Sequence, residues 1–580
     1  EKVVEEPNIS LLLNTACFDV MKSDLDTISG VRAFCSQNST LYEIAAPLFC
    51  DASGDGIVGF LSGAAFRMGA ESKDEFGEAF APTGDFGHLL GHSIYFYTKD
   101  VGRPVRFIPP AFALKDVPGR IPRYRSFNTA TQGCRLWWIE WGGRLDTVHE
   151  TERIKWELWR VVYGVWDYIK NSGDFPDAAN LTLEWVGTIP GKRESRRFEG
   201  PYMLRQQDVI DRPFHEDAVA FGGWSIDLHP ADGVFSELAG SHHIHARGPY
   251  QIPYRCYFSR NIRNLFLAGR IISASHVAFG STRVMCTCGH GGQAVGAAAA
   301  LCRQTDALPA DLLEAGRMRR LQLMLLRTGQ HIPGMRLRDP EDLAPSASIR
   351  ASSRLVLAHT PADGPAHRLE KSLAQMAPVP AGAVPACRFT IDVDGPATLA
   401  WSVRTTSRPD HHTPDVILRQ GETSLSAGEA QTVLLEADAK LDRPGYVFFC
   451  LHANPAVRVR LSEFRATGLL AVEREVPDED RRSGIAQVEH RCHVAGLPPL
   501  GHRPGDDVGD AGVALPPALV CAAPVDGEEV QDEDGVTGVG DVVDLLVRVA
   551  EGAEQEDGVT GLVGGGRVGE HVGVADADHL

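Results

Sequence analysis

No Cys-x-x-Cys pair occurs in this 580-residue sequence; the 12 cysteines are scattered, and the closest two, Cys286 and Cys288, would point to different faces of a helix. That pattern argues against a disulfide framework or a zinc site and fits free thiols of a reducing compartment, with the cytoplasm favoured. No run of 18 apolar residues is present, so no membrane-spanning helix is expected. An excess of positive charge is missing too. Residues 1–470 carry 50 Lys and Arg against 52 Asp and Glu, which leaves no electrostatic footprint for nucleic acid or an anionic membrane. Repeats of solenoid or propeller period are absent. The chain opens Glu1-Lys2-Val3 without Met or a charged-then-apolar leader, and this start reads as a cut edge.

The last 110 residues lack most of what a core needs. Residues 471–580 contain no Phe, Trp, Tyr, Lys, Met or Asn and a single Ile; their 24 Asp and Glu against 7 Arg supply a net −17 of the chain's −19. Such a composition does not offset chain ordering, which costs about 1–2 kcal/mol per residue. Two readings stand: an acidic disordered tail, or a G/C-rich gene read in a wrong frame.

What precedes the tail is different in kind. The chain as a whole is 43% hydrophobic, and all of its Phe, Trp and Tyr and most of its long apolar runs fall before residue 471, as expected of globular domains. Short strands over 9–14, 17–21, 28–34 and 41–51, separated by polar turns, predict an antiparallel meander. The last of them is apolar on both faces at 44–50, as a strand buried in a layered α/β sheet would be. It ends at Asp51-Ala52-Ser53-Gly54-Asp55-Gly56, ahead of a helix. Residues 96–255 hold Trp137, Trp138, Trp141, Trp156, Trp159 and Trp166, read as core and interface packing. A helix over 154–169 places Leu158, Val161, Val162, Val165 and Trp166 on one side. A second buried strand over 264–268 ends at Gly269-Arg270, and a small-residue helix follows over 283–301. Its Gly289, Gly291, Gly292 and Gly296 signal close helix–sheet packing, close approach of a bulky ligand, or both. The domain partition is then 1–95, 96–255 and 256–338, a linker over 339–352, a β-sandwich over 353–472 with turns every 8–15 residues, and the tail over 473–580.

In open α/β sheets ligands sit beyond the carboxyl ends of strands, and two such ends, Asp51–Gly56 and Ala268–Arg270, are present. His276, flanked by Ser275 and Ser281, is the first candidate for general base or acid, with a core histidine fixing its loop as the alternative. His229 and Arg283 complete the catalytic candidates, with Asp227 and Asp232 beside the former. Lys192, Arg193, Arg196 and Arg197 form a basic cluster around Glu194. It suits an anionic or polyhydroxylated substrate, a cofactor phosphate, or a structural ion-pair network. His242, His243 and His245 have no carboxylate or cysteine at ligand spacing, so no metal is expected. They are read as lining a substrate loop with Tyr250, Tyr254 and Arg255.

Taken together, the motifs resemble those of the bacterial FAD-dependent oxidoreductase family. The resemblance runs from about residue 9 to 326. It is carried by Asp51–Gly56, Trp138-Ile139-Glu140-Trp141-Gly142-Gly143, Pro190-Gly191-Lys192-Arg193-Glu194-Ser195-Arg196-Arg197 and the stretch from Ser273 to Met285. It implies an α/β flavoprotein body with a two-dinucleotide-binding-domain, glutathione-reductase-like fold and an inserted substrate domain. It also implies FAD near Gly54, Asp55, Gly56, Gly269 and Arg270, with Ser281, Thr282, Arg283, Val284 and Met285 toward the flavin pyrimidine edge. A G-x-G-x-x-G turn is implied before Ile9, and the eight residues preceding Ile9 hold no glycine. The expectation is therefore a chain that has lost its first nucleotide-binding unit and is impaired.

Two function classes follow. The first is an FAD-dependent oxidoreductase acting on a small polar, carbohydrate-like molecule. The second is a non-redox carbohydrate-active lyase or binding protein that uses the C-terminal sandwich.

Overall fold

The structure, a computed structural model, describes residues 2–474 apart from 83–87, 131–135, 137, 247, 349, 351–358, 409–413 and 465–468. The tail expectation and Trp137 lie outside the described residues.

The first three strands, β1 (Thr15–Asp24), β2 (Thr27–Cys35) and β3 (Thr40–Ala45), form the expected antiparallel meander in the order β1-β2-β3. Two details differ from expectation. Residues 9–14 form no strand, and the run over 41–51 is not one buried strand. It breaks at Ala46-Pro47-Leu48, because Pro47 has no N–H to give a ladder. Before the break β3 is largely solvent-facing, with Leu41 61% and Ile44 39% exposed. After it comes the short β4 (Phe49–Asp51).

A helix, α1 (Ile57–Ser62), follows β4, and a short strand β5 (His92–Ser93) pairs antiparallel with β6 (Glu140–Trp141). The long helix α2 (Thr151–Asn171) buries Ile154, Leu158, Val161, Val162, Val165, Trp166 and Ile169 in its own cluster, as its spacing requires.

The strand β7 (Leu265–Leu267) lies parallel to β4, with Leu267 opposite Asp51, so the two glycine-rich strand ends are neighbours. Asn264 locks this arrangement. Its Oδ1 accepts from Ile28 N at 3.0 Å, and its Nδ2 donates to Ile28 O at 2.8 Å and Pro47 O at 3.0 Å.

Where one small-residue helix was expected there are two. Helix α3 (His276–Thr282) is capped by Ser275, whose side chain accepts from Ala278 N; Val284 then breaks into extended backbone and starts α4 (Met285–Thr305). Helix α4 packs with α5 (Ala315–Arg327) in the largest core cluster.

From 366 to 474 the chain is strand-rich. A four-stranded and a five-stranded antiparallel sheet share one apolar cluster that includes Ile391, Val403, Val433, Val447, Phe449 and Val459. Between the two regions, Ala344–Ser346 form a short turn of 3-10 helix.

Candidate active site

Asp51 organises the first strand end. Its Oδ1 accepts from Ser53 N (3.0 Å) and Ser53 Oγ (2.7 Å), and its Oδ2 accepts from Gly59 N (2.8 Å); Ser53 Oγ in turn accepts from Gly56 N and Ile57 N. The carboxylate and hydroxyl thus satisfy the orphan donors of the turn and of α1. Gly54 and Gly56 have φ of 82° and 70°, the left-handed region that favours glycine. Gly54 is also pressed by its neighbour, since a Cβ there would lie 2.8 Å from Arg270 Nη1.

The segment from Gly191 to Phe198 crosses this strand end and distributes its side chains among several elements. Gly191 pairs with Ser93 of β5, and Arg197–Phe198 pairs with Phe66–Arg67. Between these anchors Lys192 Nζ reaches Asp55 Oδ2 (2.5 Å), and Arg193 Nη2 lies 2.8 Å from Glu140 Oε1. Glu194 Oε1 meets His276 Nδ1 (2.9 Å), and Ser195 Oγ donates to Gly54 O (3.1 Å). Arg196 Nη1 donates to Asp55 O (3.0 Å) while its guanidinium sits 4.0 Å over the Phe60 ring. Arg197 is fully buried and joins Glu71 Oε1, Glu194 Oε1, Ala274 O and Gly69 O.

Around Asp55, Arg270 Nη2 completes a two-cation grip at 2.9 Å from Oδ1. Burial pushes the Asp55 carboxyl up, but Lys192 and Arg270 outweigh it and hold the group below its usual range. The buried imidazole of His92 stands behind this cluster. Desolvation, reinforced by Lys192, lowers it to about 4, so it is neutral.

A second cluster lies across α3. His229 is gripped between two carboxylates, with Nδ1 3.1 Å from Glu140 Oε2 and Nε2 3.1 Å from Asp227 Oδ2. Burial opposes its charge, yet Asp227 and Glu140 raise it above the ordinary histidine value. Arg283 Nη2 donates to Asp227 Oδ2 at 2.9 Å, and His243 Nε2 is 3.4 Å from Asp227 Oδ1. Glu194 is completely buried. Desolvation raises its carboxyl, but His276, Arg197 and the Leu90 N–H together carry it below the usual range. Glu78, which accepts from Ser275 Oγ and Gln206 N, is pushed up by burial.

The expected cofactor residues Gly54, Asp55, Gly56, Gly269 and Arg270 are brought together. Ser281 and Thr282 are not presented outward. Both are buried in α3, and Ser281 Oγ binds Trp224 O (2.6 Å) and Tyr250 Oη (2.7 Å). Val284 and Met285 open α4, and Met285 is 88% exposed. Among the expected substrate residues, Arg193, Arg196 and His243 join the clusters. Arg197 is instead the core of a buried ion-pair network. Tyr254 is fully buried with its hydroxyl donating to Pro309 O (2.8 Å), so it packs the core and lines no cleft. Arg255 is committed to Asp217, and His245 lies half-buried past the strand His242–Ile244.

The sequence reading passed over Glu140, Glu71 and Glu78. Of these only Glu140, inside the Trp138–Gly143 motif, carried a signal. It also passed over Gly54-Asp55-Gly56-Ile57-Val58-Gly59, which has G-x-G-x-x-G spacing between a strand and a helix. A Cβ at Gly56 or Gly59 would collide with the Phe198 ring, so these two glycines make room for an aromatic side chain and not for a phosphate. Among the described residues no group of three His, Cys, Asp or Glu is placed to hold a metal, and no helix is long and apolar enough to cross a membrane.

The family model for FAD dependent oxidoreductases matches residues 1–325. The chain belongs to that family. As an FAD-dependent oxidoreductase it is a flavoprotein enzyme whose cofactor is FAD. No curated protein and no solved structure matches the chain. The residues present fit the cofactor. Gly269, at φ 79°, has no atom within 4 Å of where a Cβ would stand, and the buried Nε atoms of Arg196 and Arg270 have no hydrogen-bond partner among the described residues. A flat anionic ligand with many acceptors matches such donors.

Proposed function

We propose that this oxidoreductase withdraws a hydride equivalent from a C–H bond of a small polar, carbohydrate-like molecule, with His276 taking the accompanying proton. FAD, when bound, supplies the two-electron acceptor. Gly54, Asp55, Gly269 and Arg270 would hold it, with the N–H groups at the start of α4 near its pyrimidine edge.

The observation that carries this reading is the His276–Glu194 pair. Glu194 is buried and fixed by Arg197 and by Leu90 N, so it presents Oε1 to Nδ1 at 2.9 Å in one orientation. The tautomer with a proton on Nδ1 is thereby favoured, leaving the Nε2 lone pair to act as base. Nε2 makes no hydrogen bond to any described residue, and the side chain is 11% exposed. Desolvation around the dyad strengthens its internal electrostatics.

We further infer that the body follows a two-dinucleotide-binding-domain layout with a substrate domain over 96–255. The region 353–472 is inferred to be a β-sandwich that takes no part in the chemistry. Parallel pairing of β4 with β7 and the shared apolar cluster of the C-terminal sheets support these readings. The lyase or binding-module alternative gains no observation.

Flavin absorbance of the purified protein, together with turnover of His276→Ala under an artificial electron acceptor, tests the reading. Retained flavin with turnover lowered on the order of 10²-fold or more is expected. Undiminished turnover at normal flavin content would return His276 to a structural role.

A further inference from the structure

A groove of about 580 Å³ lies outside both clusters of the candidate site, between the first half of α2 and the segments that carry Phe112, Arg120 and Phe235. Its walls are aromatic: Phe112, Trp141, Trp156 and Phe235. Trp156 is 53% exposed and Phe112 42%, while Ile154, Leu158 and Val161 take the buried face of α2. Rings left in water forgo the stabilisation that packing would bring, and a group of them marks a binding surface. The rings continue past the groove. Trp156 meets Trp159 edge-on at 5.0 Å between centres, and Trp159 Nε1 donates to Gly187 O at 2.8 Å. Two residues before that glycine, Trp185 is 48% exposed and lies 5.4 Å from the Tyr97 ring.

The charge in the groove is of one sign. Arg120, Arg153 and Arg160 face it with a single carboxylate, Glu157. Arg160 holds Glu157 through Nε (2.7 Å) and Nη2, so these two cancel. Arg153 reaches only Glu150, at 3.5 Å on the exposed rim, where such pairs contribute little. The Arg120 side chain has no hydrogen bond or ion pair with any described residue, and its guanidinium lies 5.6 Å from the centre of the Phe235 ring. Guanidinium groups keep their charge at every working pH, so three arginines against two carboxylates, Glu150 included, leave one positive charge uncompensated. Trp141 follows Glu140 on β6, and successive strand side chains point to opposite faces. The groove is therefore backed by the strand whose other face carries the Glu140–His229 contact.

Open along one side, the groove leaves one face of an occupant in water and rests the other on aromatic rings. A pyranose ring has that character, with C–H groups on its faces and hydroxyls around its edge. A carboxylate on such a ring matches the free fork of Arg120 in geometry as well as charge. Trp185 and Tyr97 offer platforms for further rings of a chain.

We propose that this groove binds an acidic oligosaccharide, a chain containing uronate sugars, with one ring on Trp156 and a carboxylate on Arg120. The site belongs to residues 96–255 and not to the C-terminal sheets, and the assignment stands without the flavin reading.

Calorimetric titration of the full chain tests it with short chains of galacturonate, of mannuronate, and of glucuronate alternating with N-acetylglucosamine, each beside its methyl ester and its monosaccharide. At least one acidic chain is expected to bind about ten-fold more tightly than its ester and its monosaccharide, because a guanidinium–carboxylate pair is charge-assisted. Trp156→Ala should weaken that chain about ten-fold, and Arg120→Gln should bring acid and ester within about three-fold while the ester's own affinity holds. Both side chains lie outside the buried clusters, and thermal unfolding checks that each variant keeps its fold. Should one variant unfold, the parent's acid–ester comparison and the other variant decide. Absence of binding by every acid, no preference over the ester, a monosaccharide that binds equally well, or a preference kept in Arg120→Gln overturns the proposal. Self-association of the parent that Trp156→Ala abolishes would give the groove to a second copy of the chain, and overturns it as well. Flavin content is measured on the same preparations. Oligosaccharide bound without flavin sinks the flavin reading alone, and flavin without oligosaccharide sinks the groove alone.

Discussion

Arg270 Nη2 lies 2.9 Å from Asp55 Oδ1, and this ion pair joins two glycine-rich strand ends that are 215 residues apart in the chain. It ties the parallel pairing of two three-residue strands together at their carboxyl ends, with Lys192 closing the other side of the same carboxylate.

Asp55→Asn removes the charge that both cations share. Hydrogen bonds to charged groups contribute about 1.5–3 kcal/mol, so FAD affinity should fall about ten-fold or more. Fluorescence titration of the released and re-added cofactor measures this. An unchanged affinity would place Asp55 outside the reach of FAD.

Glu194→Gln keeps the shape of the site but replaces one accepting oxygen by an amide NH2, which must oppose either the Leu90 N–H or the Nδ1–H of His276 and Nε–H of Arg197. Turnover should fall by on the order of 10²-fold while flavin content holds, because the imidazole loses its fixed tautomer and orientation. Steady-state assay beside the flavin-to-protein ratio checks it, and equal loss of flavin and turnover would argue for a purely structural Glu194.

Arg197→Met leaves Glu71 and Glu194 buried without their shared cation. Breaking one side of a buried pair costs about 3–5 kcal/mol. Urea unfolding should show that loss, and a midpoint like that of the parent would mean the network relaxes around the gap.

Two buried histidines set opposite limbs of the stability profile. His92 is lowered from 6.5 to about 4 in the fold. Its contribution is present above pH 6.5 and is lost as pH falls toward 4, by on the order of 3 kcal/mol. His229 is raised above 6.5. Its contribution is present below pH 6.5 and is lost as pH rises through the raised value. Thermal unfolding across pH should therefore lose its acid limb in His92→Leu and its alkaline limb in His229→Gln. Parallel profiles for parent and variants would contradict both assignments.

Much was legible locally. The meander, the buried face of α2 and the strand-rich character of the region over 353–472 follow from periods of 2 and 3.6 residues, which report the face a side chain occupies. Both strand-end glycine motifs were legible because turn chemistry is local. The family resemblance rested on the same motifs and agrees with the match over residues 1–325. Period and turn chemistry do not report partners. That Tyr254 is core, that β3 is exposed and that the small-residue helix breaks at Val284 depend on what packs alongside.

The site itself was decided in three dimensions. Residues 192–197 read as one basic cluster, yet Lys192 and Arg196 turn to Asp55, Arg193 to Glu140 and Arg197 to Glu71, and Glu194 finds His276 across 82 residues of chain. The residue types fixed which charges were available; the crossing of this segment between Ser93 and Phe66 fixed which of them meet. Ion pairing is set by distance and burial, and a linear sequence states neither.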